Sequence, residues 1–167
     1  MEGSALSGVK VLDMSRLVAG NMATLQLADF GADVIKVERP KVGDPLRQWR
    51  KGNLDLWWRE YARNKRSLAL DITSARGREL LLALVQRCDV LVENFIPGKL
   101  DELNLSYATL LAANPGLVIL SITAWGHDGP TATGRASAPW SRRSAGSPRC
   151  SASRTVRRRC RRFPSPT

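Results

Sequence analysis

The chain has 167 residues, 43% of them hydrophobic, enough for about one ordinary domain with a core of its own. No run of about 18 apolar residues occurs, and the opening Met1-Glu2-Gly3-Ser4-Ala5 has neither a basic nor an apolar signal region, so a membrane-spanning helix and a secretory leader are not expected and the cytoplasm is the expected compartment. The formal net charge of +11 is unevenly spread: residues 135–167 hold ten arginines and no Lys, Asp or Glu, which leaves sixteen basic against fifteen acidic side chains in residues 1–134, the balance of a near-neutral globular sequence.

In chain order, the β-branched run Val9-Lys10-Val11-Leu12-Asp13 predicts a first strand. Apolar residues at Leu17, Val18, Met22, Leu25 and Ala28 have helical spacing, and Gly31 stands where a helix C-terminal glycine belongs. Residues 33–38 predict a second strand, and residues 39–53 a loop broken by Pro40, Gly43, Asp44 and Pro45. Residues 54–61, with Trp57 and Trp58, predict a short helix whose indoles pack a loop onto the core, with stacking on a ligand as the other reading. A third strand is expected at residues 67–71, then a helix capped by Thr73 or Ser74 and running through residues 79–85. A fourth strand at residues 89–93, a brief helix at residues 107–113 stopped by Asn114-Pro115, and a fifth strand at residues 117–122 complete the pattern.

Strands alternating with helices, each strand continuously apolar, predict an α/β fold: a parallel sheet covered on both faces. Such sheets bind ligands beyond the C-terminal ends of their strands. Residues 15–20, Arg39, residues 71–73, residues 93–96 and residues 124–129 are therefore the candidate places for a site. Residues 136–167 are Ser, Arg, Ala and Pro, with Val156 the one aliphatic beyond alanine; they predict a disordered tail.

Motif chemistry excludes more than it assigns. There is no glycine-rich dinucleotide fingerprint, phosphate-binding loop, nucleophile elbow or zinc helix. Cys88, Cys150 and Cys160 lack metal-ligand spacing, and Cys88, beside an apolar helix, reads as structural. His127, in Gly126-His127-Asp128-Gly129-Pro130, reads as part of a turn, with a general base as the other reading. Lys65 and Arg66 read as solvated surface charge, or else as phosphate contacts. Arg39 reads as a surface ion pair, or else as a crevice cation.

Taken together, several blocks resemble family III CoA-transferases, the CaiB/BaiF family. They are Leu6-Ser7-Gly8-Val9-Lys10-Val11-Leu12-Asp13, Ala19-Gly20, Gly31-Ala32-Asp33-Val34-Ile35-Lys36-Val37-Glu38, Gly43-Asp44-Pro45, Asn64-Lys65-Arg66-Ser67-Leu68-Ala69-Leu70-Asp71, Val92-Glu93-Asn94-Phe95-Ile96-Pro97-Gly98, Asn114-Pro115 and the Gly126–Pro130 turn. Many blocks in the right order and spacing make the likeness specific; it spans about residues 6–135. The resemblance implies a Rossmann-like domain, here incomplete, an intertwined homodimer, and a coenzyme A thioester as substrate, with a carboxylic acid as acceptor and no resident cofactor or metal.

By position, the resemblance implies CoA contacts at Val18 and Ala19 after the first strand and a phosphate-side cation at Arg39. Leu70, Asp71, Ile72 and Thr73 match the segment lining adenine and ribose; Asn94, Phe95 and Ile96 match the next contacting segment; Arg135 aligns with a basic contact. Glu102 stands where some members carry an arginine, with Lys99 the nearby cation. Family chemistry uses an aspartate nucleophile downstream of the Gly-Pro turn, forming a mixed anhydride and then an enzyme–CoA thioester. A racemase branch uses a His and an Asp in that region. After Asp128 this sequence has no Asp or Glu, so no catalytic residue is assigned and an inactive, truncated transferase is expected, with a non-catalytic CoA-binding fragment and an acyl-CoA racemase of the same family as the other readings.

Residues 1–135 are thus read as the N-terminal part of the large domain, and residues 136–167 as an Arg/Ser/Pro-rich tail. A shifted reading frame best accounts for that tail; an alternative product with another role and a nucleic-acid-binding arm are the other readings.

Overall fold

The computed structural model describes residues 3–50, 52 and 54–127. The expected disorder of residues 136–167 and the expected boundary near residue 135 lie outside the described residues. The chain divides into two compact units after Thr123, and the first of them carries the sheet.

Its order is β1 (Lys10–Asp13), α1 (Leu17–Asp29), β2 (Asp33–Glu38), a 3-10 turn (Pro45–Gln48), α2 (Leu56–Ala62), β3 (Lys65–Ala69), α3 (Ala75–Val85), β4 (Val90–Glu93), α4 (Lys99–Glu102), α5 (Tyr107–Ala113) and β5 (Val118–Ser121). The five strands form one sheet in the order β3-β2-β1-β4-β5. All four pairings are parallel. The chain steps outward from β1 to β3, then crosses to β4 on the other side of β1. The order reverses between β1 and β4, which makes their C-terminal ends a topological switch point.

Period-two alternation sends side chains to opposite faces of the sheet. Leu12, Val37 and Leu91 pack with Leu81 and Val85 of α3 and Leu110 of α5. Val11, Val34 and Val92 pack on the other face with Ala28 of α1. The expected two-sided burial is therefore present, with each face holding its own apolar cluster.

Local signals set several boundaries as expected. Gly31 has φ 99, and the Gly31 and Ala32 amides donate to the Ala28 and Leu27 carbonyls, closing α1 with a left-handed cap. Ser74 caps α3 by accepting from the Gly77 amide at 3.0 Å. Cys88 is buried, and burial pushes its thiol up, in keeping with a structural role.

Three local expectations are corrected. The third strand begins at Lys65 and ends at Ala69, because the β2 register extends to Val34↔Lys65 while Leu70 and Asp71 leave the ladder for a turn. No residue of α2 is buried, so Trp57 and Trp58 do not anchor the core. Trp57, 47% exposed, meets Trp49 edge-on at 6.4 Å and stacks on Tyr61 at 6.1 Å, while the Arg47 guanidinium lies 3.8 Å over Trp58. Finally, α4 forms where no helix was anticipated, entered through left-handed Gly98. No helix among the described residues is long and apolar enough to cross a membrane.

Candidate functional site

A cavity of about 450 Å³ opens at the C-terminal ends of β1, β2, β3 and β4. Its volume lies in the range of small-molecule sites. Met14, Val37, Leu70, Ile72, Phe95, Ile96 and Leu103 give it an apolar wall; Arg16, Arg39 and Lys99 give it three cations. Arg39 also lines a shallower groove of about 300 Å³ with Lys41, Gly43 and Arg47. None of the ion pairs among the described residues engages Arg39. The surface ion pair weighed for Arg39 is therefore absent there, and its exposed guanidinium stands between two concave surfaces.

The segment after β3 is held by its own side chains. The Asp71 carboxylate accepts from the Thr73 amide at 3.0 Å and the Thr73 hydroxyl at 2.6 Å. These bonds, with Arg39 nearby, hold the Asp71 carboxyl below the usual carboxylate range. Gly77 lets α3 approach this turn closely: a Cβ there would lie 1.8 Å from the Asp71 carbonyl oxygen.

The segment after β1 is braced more heavily. The Ser15 amide donates to Asp13 Oδ1 at 2.9 Å, and Lys36 Nζ donates to the Ser15 carbonyl. The Asn94 carboxamide takes both polar backbone groups of Arg16, at 2.8 Å each. The Leu17 amide donates to Asp44 Oδ1 at 3.1 Å. The Arg16 guanidinium folds over the Phe95 ring at 5.1 Å, a cation–π contact on the cavity wall.

Behind that segment, on the α1 face of the sheet, lies a buried charged network. Lys36 Nζ is 3.4 Å from Asp13 Oδ1 and 3.2 Å from Asp44 Oδ2. Lys65 Nζ is 3.3 Å from Asp13 Oδ2 and donates to Thr24 Oγ1 at 2.7 Å. Two lysines meet two aspartates, so the buried charge balances, as burial demands. Burial nevertheless pushes the Lys65 ammonium down to about 8, against the pull of Asp13 and with the push of Lys36. Lys65 is thus neither solvated nor free to meet a phosphate, because β3 turns its side chain inward beneath α1; its side chain is 2% exposed. Arg66, one residue on, points outward and pairs with Asp33 at 2.6 Å.

Glu38 closes the network at the end of β2. Its Oε1 accepts from Ser67 Oγ at 2.6 Å and Arg47 Nη2 at 2.8 Å; its Oε2 accepts from Arg47 Nε at 2.7 Å and the Asp44 amide at 2.9 Å. Burial raises this carboxyl, but the bonds from Arg47, Ser67 and Asp44 outweigh it and hold it at about 2. On the opposite face, Glu93 accepts from the Phe95 amide and the Tyr107 hydroxyl, and burial together with Glu93 pushes Tyr107 up to about 12.

Of the positions expected to contact ligand, Arg39, Leu70, Asp71, Ile72, Thr73, Asn94, Phe95 and Ile96 line the one cavity. Val18 and Ala19 fall on the first turn of α1, just past the lining residues; Val18 is half-buried and Ala19 exposed. Arg135 lies outside the described residues, as do Asp128 to Pro130 of the expected turn, of which Gly126 has φ 80. Lys99 lines the cavity and pairs with Glu102 at 2.6 Å, so the acidic residue at position 102 offsets the cation beside it. Sequence reading missed the network of Asp13, Lys36 and Lys65. Its signal was Lys36, a lysine interrupting an apolar strand in a sheet buried on both faces.

Comparison with known proteins gives one family. The model of CoA-transferase family III matches residues 6–148. The chain is 43% identical over 128 residues to a succinyl-CoA–D-citramalate CoA-transferase of Chloroflexus aurantiacus, covering 75% of this chain and 32% of that protein. It is 46% identical over 125 residues to a formyl-CoA:oxalate CoA-transferase of Rhodopseudomonas palustris, covering 73% and 29%. A crystal structure of a CAIB/BAIF family protein from Brucella suis superposes with a TM-score of 0.79 at 39% identity, covering 86% of this chain and 39% of that one. The chain thus spans about a third of the length of the relatives it matches.

Proposed function

We propose, from the premise that this chain belongs to CoA-transferase family III, that the switch-point cavity binds the CoA portion of an acyl-CoA thioester. The observation that carries the reading is convergence. Positions matched to the family's CoA contacts, drawn from the ends of β2, β3 and β4, line a single crevice. Its chemistry suits the ligand: CoA joins an aromatic base and an extended apolar arm through phosphates, and the cavity joins an apolar wall to cations. Arg39 offers a planar guanidinium suited to phosphate oxygens.

The reaction we assign to the intact protein is transfer of CoA from an acyl-CoA to a free carboxylic acid. In such a reaction a carboxylate attacks the thioester carbonyl, backbone donors hold the developing oxyanion, and collapse to a mixed anhydride breaks the C–S bond and releases CoA thiolate. The described carboxylates at the cavity are engaged otherwise. Each Glu38 oxygen accepts two hydrogen bonds, and Asp71 fastens its own turn. Residues 129–167 contain no Asp or Glu. The cavity residues of this chain therefore bind and orient CoA and do not supply the nucleophile. CoA enters as substrate, with no resident cofactor in this reading.

Calorimetric titration of CoA into the purified chain tests this. Saturable binding at one site, weakened by Arg39→Ala, is expected. Absence of saturable heat would overturn the binding reading. Turnover of an acyl-CoA with a free acid by this chain would overturn the claim that it lacks the nucleophile.

A further inference from the structure

The turn between β1 and α1 forms one wall of the cavity, and its backbone is unusual. Leu17 has φ 60, in the left-handed region that disfavours a residue with a Cβ. Arg16, which precedes it, is extended, with φ −134 and ψ 157, and provides no side-chain cap for α1. The turn is thus not set by the local preferences of its residues. Strain of this kind persists only where the surroundings over-determine it.

Asp44 supplies that determination from the 3-10 turn. Oδ1 accepts from the Leu17 amide at 3.1 Å and the Leu46 amide at 2.8 Å. Oδ2 accepts from Asn21 Nδ2 at 2.9 Å and pairs with Lys36 Nζ at 3.2 Å. A carboxylate has about four acceptor sites, and all are used. Its side chain is 1% exposed. One carboxylate therefore joins the strained turn, the first turns of α1, the β2 lysine and the loop after β2. Lys36 extends the brace by donating to the Ser15 carbonyl.

We infer that Asp44 is a positioning residue for the acyl-CoA cavity, an assignment that rests on the cavity's being the CoA site. It touches no ligand itself. It holds Leu17 in the left-handed region and so keeps Arg16 over Phe95 and both residues on the cavity wall. Asparagine cannot replace it. With its oxygen toward the Leu17 and Leu46 amides, its NH2 faces two further donors, Asn21 Nδ2 and Lys36 Nζ. Flipped, it opposes the two amides.

The test uses the full chain and two variants, Asp44→Asn and Asp44→Glu, the second keeping the charge while moving the oxygens. Three measurements are made: CoA affinity by calorimetry, the thermal midpoint, and amide exchange at Arg16 and Leu17 against Leu12 and Val34 of the sheet. In the parent, the Leu17 amide is expected to exchange as slowly as the sheet amides. In variants that fold, CoA Kd rises by roughly tenfold or more, and Arg16 and Leu17 lose protection while Leu12 and Val34 keep theirs. A parent whose Leu17 amide exchanges freely overturns the assignment even if neither variant folds. Folded variants that bind CoA as the parent does overturn it while leaving the cavity's reading intact. A parent that does not bind CoA overturns that reading and this assignment with it.

Discussion

Asn94 and Arg16, 78 residues apart in sequence, share a reciprocal pair of hydrogen bonds: Asn94 Oδ1 accepts from the Arg16 amide and Asn94 Nδ2 donates to the Arg16 carbonyl, each at 2.8 Å. A side chain at the end of β4 thereby replaces a backbone ladder for the turn after β1, across the switch point. Asn94→Asp keeps the acceptor but faces the Arg16 carbonyl with a second oxygen. It is expected to cost about 1–3 kcal/mol, read as a lower denaturant midpoint, and to weaken CoA binding; Asn94→Ser, which can keep only one of the bonds, falls between.

Arg39 stands at the cavity mouth with no ion pair among the described residues, so removing it leaves no buried partner behind. Arg39→Gln is expected to leave the thermal midpoint close to that of the parent. Its effect appears in CoA affinity, a loss of about 1.5–3 kcal/mol for a charge-assisted bond, and in a shallower salt dependence of binding. Calorimetry at two ionic strengths measures both.

Glu38 titrates at about 2 in the folded chain against an ordinary 4.5. Its folded pKa is depressed, so its contribution is fully present above pH 4.5 and is lost as pH falls toward 2. The shift corresponds to about 3 kcal/mol. Urea unfolding of the parent and of Arg47→Met between pH 7 and pH 2.5 checks it: the variant begins less stable and loses less on acidification.

Lys65 titrates at about 8 in the folded chain against an ordinary 10.5. Between those values the unfolded chain binds the extra proton, so this group makes stability rise as pH rises from about 8 to about 10.5. The buried Cys88 and the half-buried Tyr107, both shifted upward, act in the opposite sense at alkaline pH. The comparison that isolates Lys65 is therefore parent against Lys65→Met. The stability difference between them is expected to change steadily across that window; a constant difference would count against the assigned shift.

Gly77→Ala places a methyl 1.8 Å from the Asp71 carbonyl oxygen, which only backbone movement can relieve. A cost of at least about 1–3 kcal/mol is expected, with weaker CoA binding because Leu70–Thr73 line the cavity. Gly116→Ala, whose added Cβ meets its nearest neighbour at an ordinary 3.6 Å, is the control and should leave both properties unchanged.

Much was legible in the sequence because it depends on residues near one another. Continuous apolar runs alternating with helical patterns mark the parallel strands, and Gly31 and Ser74 mark helix ends. The rule that ligands sit at strand C-termini points to Arg39, residues 71–73 and residues 93–96 among its candidate places, and the family resemblance adds Leu70. The ordered motif blocks identified the family. What only the tertiary structure decided is where the charges go. Lys65 and Arg66 are adjacent and alike in sequence, yet strand pleating buries the first beneath α1 and leaves the second in solvent. Asp13, Lys36, Asp44 and Lys65 come from separate segments, and each would be costly to bury alone. Folding makes them mutual partners, and the turn that walls the cavity is held by that partnership, which no local pattern in the chain encodes.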